Sequence, residues 1–175
     1  MLSPQSSLPQ LRADSAACPK AREVLKRFLD LDATTGRKWT PQLTALITDL
    51  DNPGWDSQVV IARYEIGACE ASTADLHIPV NYWNIGKLAS AGDTGLPVFT
   101  PGLALQRIDF FIVPGEHGFK VRDVGLTSPR VYSGTAVAEL KRLADAQSPP
   151  PRQKAVRVAA QLIGETAARL RRQRR

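Results

Sequence analysis

The sequence predicts an α+β domain in which N-terminal helices wrap a curved antiparallel sheet of four to six strands. Two segments with helical periodicity come first, within residues 19–50, and five strand-like runs follow within residues 59–125. A basic segment with helical periodicity, 152–175, ends the chain. Helices followed by a run of strands are typical of α+β domains. A curved sheet wrapped by helices leaves a hollow, so a pocket is the main functional feature that we expect.

Both N-terminal helices have recognisable start and stop signals. Pro19 lies in the first turn of the first helix, where proline's missing N–H costs no hydrogen bond, and Gly36 is a natural stop. Thr40 followed by Pro41 predicts an N-cap and a first-turn proline for the second helix. Apolar residues recur at helical spacing in the two segments: Ala21, Val24, Leu25, Phe28 and Leu31, then Leu43, Leu46, Ile47 and Leu50.

Alternating apolar and polar residues predict the strands. The pattern occupies 59–68 and 75–85, and then 105–113 and 119–124, which form a hairpin. The stretch 89–102 is rich in glycine and proline and is predicted to be a long loop with a short strand at Val98 and Phe99. The residues expected to share one face of each strand are Val60, Ala62, Tyr64 and Ile66, then Leu76, Ile78, Val80 and Tyr82, then Ile108, Phe110 and Ile112.

Composition shifts divide the chain into four segments. We expect a flexible leader (1–17), the α+β domain (18–146), a proline-rich linker (147–151) and a basic amphipathic helical tail (152–175). The net charge of +6 comes from the tail, which holds eight basic side chains and one acidic one, whereas the rest of the chain carries a net charge of −1. A body with balanced charge does not predict a nucleic-acid surface.

The apolar stripe of the tail fits two arrangements. Val156, Ile163 and Leu170 recur at helical spacing, so the tail either packs on the body or docks elsewhere. In the second case its arginines would contact an acidic partner or an anionic surface. Nucleic acid is not the expected partner, because no aromatic side chains are interleaved with the basic residues to stack on bases.

The cysteines bear on compartment and on metal binding. Cys18 and Cys69, 51 residues apart, form either a disulfide in an oxidising compartment or two small buried side chains with free thiols. Residues 1–17 lack the apolar run of a signal peptide. An exported, periplasmic location is favoured if a signal peptide has been removed, and a cytoplasmic one otherwise. The spacing predicts no metal site, and we find no cofactor motif.

Short patterns within residues 24–143 resemble the NTF2-like (SnoaL-like, cystatin-like) superfamily of α+β cones, especially bacterial members of unassigned function. The segments that carry the resemblance are 28–32 in the first helix, 53–56 before the first long strand, 60–67 within that strand, and the hairpin 110–124 with its closing helix. The resemblance implies a conical sheet wrapped by N-terminal helices, and often a homodimer. The superfamily contains isomerases, dehydratases, ligand-binding domains and interaction modules, so the fold does not determine the activity.

Enzymes of that superfamily often place an aspartate with a histidine or a tyrosine in an apolar cone. Here Asp109 would be the general base, with His77 or Tyr64 as the hydrogen-bond donor. The alternative is a solvent-facing row in which Asp109 pairs with Arg107, or an ion pair across strands to Arg122 or Lys120. No catalytic motif matches residue by residue, so no catalytic residue is assigned.

The leading hypothesis is a non-enzymatic domain that binds a small apolar ligand or a protein partner through its cone or its sheet face. Two alternatives are a small-molecule isomerase or dehydratase that uses a pocket carboxylate as general base, and a dimeric interaction or structural module. No cofactor is expected. The side chains expected to line the ligand site are Tyr64, Tyr82, Trp83 and Phe110.

Overall fold

A computed structural model describes residues 17–49, 56–71, 75–145 and 147–173. The expected leader apart from Ala17, residues 53–55 of the segment 53–56 and the last two arginines lie outside these residues. Within the described part the chain is α+β, with the elements α1 (Ala17–Thr35), α2 (Pro41–Thr44), β1 (Ser57–Ile66), β2 (Glu70–Ala71), β3 (Leu76–Ala91), β4 (Leu96–Gly115), β5 (Gly118–Val121), β6 (Arg130–Tyr132), α3 (Ser133–Leu143) and α4 (Pro150–Arg172).

The six strands form one curled, mixed sheet with the shape of a half-barrel. Their order is β5-β4-β3-β1-β6, and β2 pairs with β3. The prediction of a purely antiparallel sheet was wrong at one edge, where β6 lies parallel to β1. The chain leaves β5 and crosses to the far edge of the sheet before it forms β6. A strand of three residues is too short to show an alternating pattern, so the sequence carried no signal for this pairing.

The predicted long loop at 89–102 is instead the end of a long β-hairpin. β3 runs to Ala91, a single turn occupies Gly92–Thr94, and β4 begins at Leu96. The prolines fit because this part of β4 is an edge of the sheet. On the side of β4 away from β3, the strand β5 pairs only with residues 112–115. No second strand therefore needs a backbone hydrogen bond from Pro97 or Pro101.

A bulge in β1 overturns part of the predicted face assignment. The register against β3 shifts around Ile61 and Ala62. A bulge adds one residue and reverses the alternation beyond it. Consequently Ile61 and Tyr64 lie on the same face as α1, whereas Val60 and Ala62 lie on the opposite face.

Helix α1 packs on one face of the sheet and fills the space above it. Leu25 and Phe28 are fully buried there, together with Ile78 and Tyr82 of β3 and Ile112 of β4. The hollow that the sequence predicts under the N-terminal helices is therefore occupied by packed side chains. Helix α2 is a single short turn, which begins as predicted with Thr40 accepting a hydrogen bond from the Leu43 N–H at 3.3 Å.

Helix α4 packs on the opposite face, together with α3. Its Val156 and Ile163 are buried against Ile85 and Phe99 of the hairpin, and Leu170 is partly buried beside them. Of the two arrangements that the tail allowed, the structure thus has the one in which the apolar stripe covers the body. The basic residues of α4 lie on its other sides.

A disulfide joins Cys18 at the start of α1 to Cys69, which follows β1. The bond links the first turn of α1 to one end of the sheet. Arg22 of α1 contacts the same end, where it donates a hydrogen bond to the Gly67 carbonyl. The N-terminal end of the helix is thereby fixed both covalently and by a hydrogen bond.

Candidate functional site

The predicted site residues lie on both faces of the sheet and do not form one pocket. Tyr64, Tyr82 and Phe110 lie on the face covered by α1. His77 and Asp109 lie on the opposite face, because each alternates with core residues along its own strand. The two residues lie near each other across the β3–β4 pair. Trp83, next to Tyr82 along β3, also lies on that opposite face.

Two of the four expected ligand-contacting side chains are core residues. Tyr82 and Phe110 are almost fully buried, and the Phe110 ring packs edge-on against Phe28 with 6.0 Å between centroids. Burial raises the pKa of Tyr82, so its hydroxyl stays protonated. The guanidinium of Arg130 lies 4.5 Å from the centre of the Tyr82 ring. The space beside these rings is already taken by protein atoms.

Tyr64 binds a carboxylate that the sequence analysis did not identify. Its hydroxyl donates a hydrogen bond to Asp30 of α1, and its ring stacks on Tyr132 at 6.4 Å. Burial and the Asp30 carboxylate both raise the pKa of Tyr64. Burial would raise the pKa of Asp30 as well, but hydrogen bonds from Lys26, at 2.6 Å, and from Tyr64 lower it overall. The i, i+4 spacing of Lys26 and Asp30 signals their ion pair, whereas the contact with Tyr64 depends on the bulge in β1.

The group of His77, Asp109 and Arg107 forms on the outer face. His77 Nε2 lies 2.8 Å from Asp109 Oδ1, and Arg107 Nε donates to the same oxygen at 3.0 Å. The hydrogen bonds from His77 and Arg107 lower the pKa of Asp109, whose side chain is 46% exposed. A general base works best with a pKa near the working pH, so a lowered pKa makes Asp109 a weaker base. Tyr64, the alternative donor, lies on the other face of the sheet.

The same outer face carries stacked aromatic and cationic side chains. Arg63 lies over the Trp83 ring, 3.4 Å from its centre, and Arg122 lies 5.1 Å from the centre of the Phe111 ring. His77 also packs on Phe111, with 5.3 Å between ring centroids. We call this surface the open sheet face and define it as Arg63, Glu65, His77, Trp83, Leu105, Arg107, Asp109 and Phe111.

The open sheet face begins where α4 ends. Leu170, near the end of α4, borders a small pocket of about 190 Å³ that it shares with Trp83, Leu103 and Leu105. Leu105 lies directly opposite Trp83 across the β3–β4 pair and is 64% exposed. A single exposed leucine is ordinary. Here the leucine belongs to a pocket that it shares with the Trp83 ring, and Arg63 lies over that ring.

A cleft of about 440 Å³ lies between the end of α1, the start of β1 and α3. Its floor is apolar, but several of its polar groups already have partners. Gln58 Nε2 donates to the Gly36 carbonyl at 3.1 Å, and Glu139 pairs with Arg142 at 2.6 Å.

The described residues contain no cluster of three or more His, Cys, Asp or Glu side chains placed to hold a metal ion. No helix within the same residues combines the length and the apolar character that crossing a membrane requires. Comparison with known proteins finds no family model, no curated protein and no solved structure that matches the chain.

Proposed function

We propose that the chain is a non-enzymatic, NTF2-like binding domain that takes a protein partner on the open sheet face. The observation that carries this proposal is the pocket formed by Trp83, Leu103, Leu105 and Leu170 at the edge of that face. Its volume of about 190 Å³ suits one apolar side chain of a partner. Binding energy at protein interfaces concentrates where a few anchors enter such pockets.

The composition of the surrounding face supports the same conclusion. Tryptophan, phenylalanine and arginine are enriched at interfaces, and the face holds Trp83 and Phe111 with Arg63 and Arg107. Arg63 is already held over Trp83, so binding would cost less side-chain entropy than with a free arginine. A rigid strand platform and pre-positioned side chains suit recognition of a folded or extended protein segment.

Two other hypotheses, a small apolar ligand inside the cone and an isomerase or dehydratase, have less support. A small apolar ligand inside the cone has little room, because the space under α1 is filled by Phe28, Tyr82 and their neighbours. The isomerase or dehydratase hypothesis has its pair of Asp109 and His77, but the pair lies on the outer face with Asp109 46% exposed, and Tyr64 lies on the opposite face of the sheet.

A homodimer through the same face is a second candidate. Arg63 lies beside Glu65 at 3.5 Å, and Arg107 beside Asp109, so the face carries both charge signs in short succession. A two-fold interface needs such a self-complementary surface. Two copies would exchange these ion pairs around the apolar row of Trp83 and Leu105.

Replacement of Leu105 with glutamate tests the proposal. Leu105→Glu puts a charge into the pocket without touching the core, and we expect about a tenfold or larger loss of partner binding. Leu126→Glu is the matched control, because Leu126 is an exposed leucine outside this face. Affinity capture from the source cells with wild-type and variant chains measures the loss, and light scattering measures self-association.

The outcomes separate the alternatives. A partner kept by wild type and Leu126→Glu but lost by Leu105→Glu supports a heterologous protein. A dimer that only Leu105→Glu dissociates supports self-association. Equal behaviour of the two variants in both measurements would contradict the proposal.

A further inference from the structure

An apolar groove runs between the start of β4 and the first half of α4, away from the open sheet face. Its volume is about 430 Å³, within the range of ligand-binding pockets. Its walls are formed by the side chains of Leu96, Val98 and Phe99 on the strand and Ala155, Val158 and Leu162 on the helix. Val98 and Val158 are each 46% exposed, so the groove is open to solvent along its apolar walls.

Proline residues stiffen the groove at both sides. Pro97 fixes the backbone of β4 beside Leu96 and Val98, and Pro150 and Pro151 form the first turn of α4. A proline has a restricted φ, so these wall segments lose little entropy when a ligand binds. The groove is therefore a preformed feature of two packed elements.

One cation marks the edge of the groove. Lys154 is the charged residue among the side chains that line the groove, whereas Arg157, one turn later on α4, lines a separate cavity against α3. Among the described residues neither side chain makes an ion pair or a hydrogen bond. The one acidic residue of α4, Glu165, hydrogen-bonds with Gln161 at 2.8 Å, farther along the helix. An unpaired cation above apolar walls attracts a ligand with a negative end and an apolar body.

We propose that this groove binds the hydrocarbon chain of an anionic amphiphile and that Lys154 lies against its charged head. The chain would cover Val98 and Val158 and remove their exposed apolar surface from water, which is the main favourable contribution. Lys154 would neutralise a carboxylate or phosphate at the open end. The groove is separate from the open sheet face, so this proposal can be tested independently of the proposed protein partner.

Two probes with chains of equal length test the roles of chain and charge. Decanoate has an anionic head, and decyl maltoside has an uncharged one; both are titrated as monomers and followed by calorimetry. Lys154→Glu is expected to weaken decanoate binding about tenfold and to leave decyl maltoside unchanged. Ala155→Phe, which fills the groove from α4, is expected to weaken both probes.

Controls keep the test independent of net charge and folding. Lys20→Glu on α1 makes the same change in net charge far from the groove and should leave both affinities unchanged. Val158→Glu at an exposed wall position should also weaken both probes, and circular dichroism verifies each fold. The proposal is overturned if wild type binds neither probe, if Lys20→Glu weakens decanoate as much as Lys154→Glu does, or if both Ala155→Phe and Val158→Glu leave binding unchanged.

Vesicle flotation identifies the source of the amphiphile. Wild-type chain is mixed with vesicles of phosphatidylcholine and phosphatidylglycerol, with pure phosphatidylcholine as the control. Flotation with the anionic vesicles that Ala155→Phe abolishes assigns a membrane lipid. Decanoate binding without flotation assigns a free amphiphile, such as a fatty acid. Leu105→Glu should change neither result, which separates this site from the protein-binding proposal.

Discussion

Asp32 and Arg37 form a buried ion pair that joins three parts of the chain. Arg37 donates to both Asp32 oxygens, at 2.8 and 3.0 Å, and to the carbonyl of Val124 at 2.9 Å. The backbone N–H of Arg130 donates to the same carboxylate at 3.3 Å. The end of α1, the turn after β5 and the start of β6 are held together in this way, and β6 is a strand that the sequence did not predict.

Arg37→Met should therefore destabilise the fold strongly. It leaves the Asp32 carboxylate buried without its counter-ion, which typically costs about 3–5 kcal/mol in the free energy of unfolding. Urea denaturation measures the change. Arg27→Met is the matched control, because Arg27 pairs with Glu23 on the exposed side of α1, where such pairs contribute about 0.2–1 kcal/mol. Similar losses for the two variants would show that the buried pair has no special role.

At the level of elements, local patterns predicted most strands and helices and failed where long-range pairing decided the outcome. The alternation of Leu76, Ile78 and Val80 places them correctly in the core. The glycine and proline content of 89–102 favoured a loop, but pairing with the rest of β3 and the contact with α4 stabilise a strand there. Such contacts are invisible to local propensity.

Helix α4 offers the sharpest test at this scale, because it ends the chain and its composition suggests a detachable tail. Ile163 is fully buried between α4 and the sheet, so Ile163→Ala should lower the free energy of unfolding by about 2–5 kcal/mol. Val158→Ala, on the exposed side of the same helix, should cost under about 0.5 kcal/mol. Thermal and urea unfolding of the whole chain measure both. A neutral Ile163→Ala would mean that α4 does not contribute to the folded body in solution.

For the whole molecule, the sequence predicted the α+β class but not a working site. It identified His77 and Asp109, which do meet, and of its alternatives for Asp109 the structure has the solvent-facing one, in which Asp109 pairs with Arg107 on the outer face. Tyr64 pairs in register with Tyr82 on the face covered by α1, and the one-residue bulge in β1, which no alternation pattern reveals, puts Ala62 on the opposite face. Leu105 lies in the predicted strand 105–113, but its pocket depends on where α4 ends, which no local pattern indicates.

The Cys18–Cys69 disulfide links the start of α1 to the sheet and closes a loop with a sequence separation of 51 residues. Cross-linking a loop of this length reduces the entropy of the unfolded chain, and the chain-entropy model gives about 4 kcal/mol of stabilisation. We expect oxidised protein to contain no titratable thiol and to lose about 4 kcal/mol of unfolding free energy on reduction. The Cys18→Ser, Cys69→Ser double variant should have the same unfolding free energy as the reduced protein, and reductant should not change it. Two free thiols in the oxidised protein would contradict the bond.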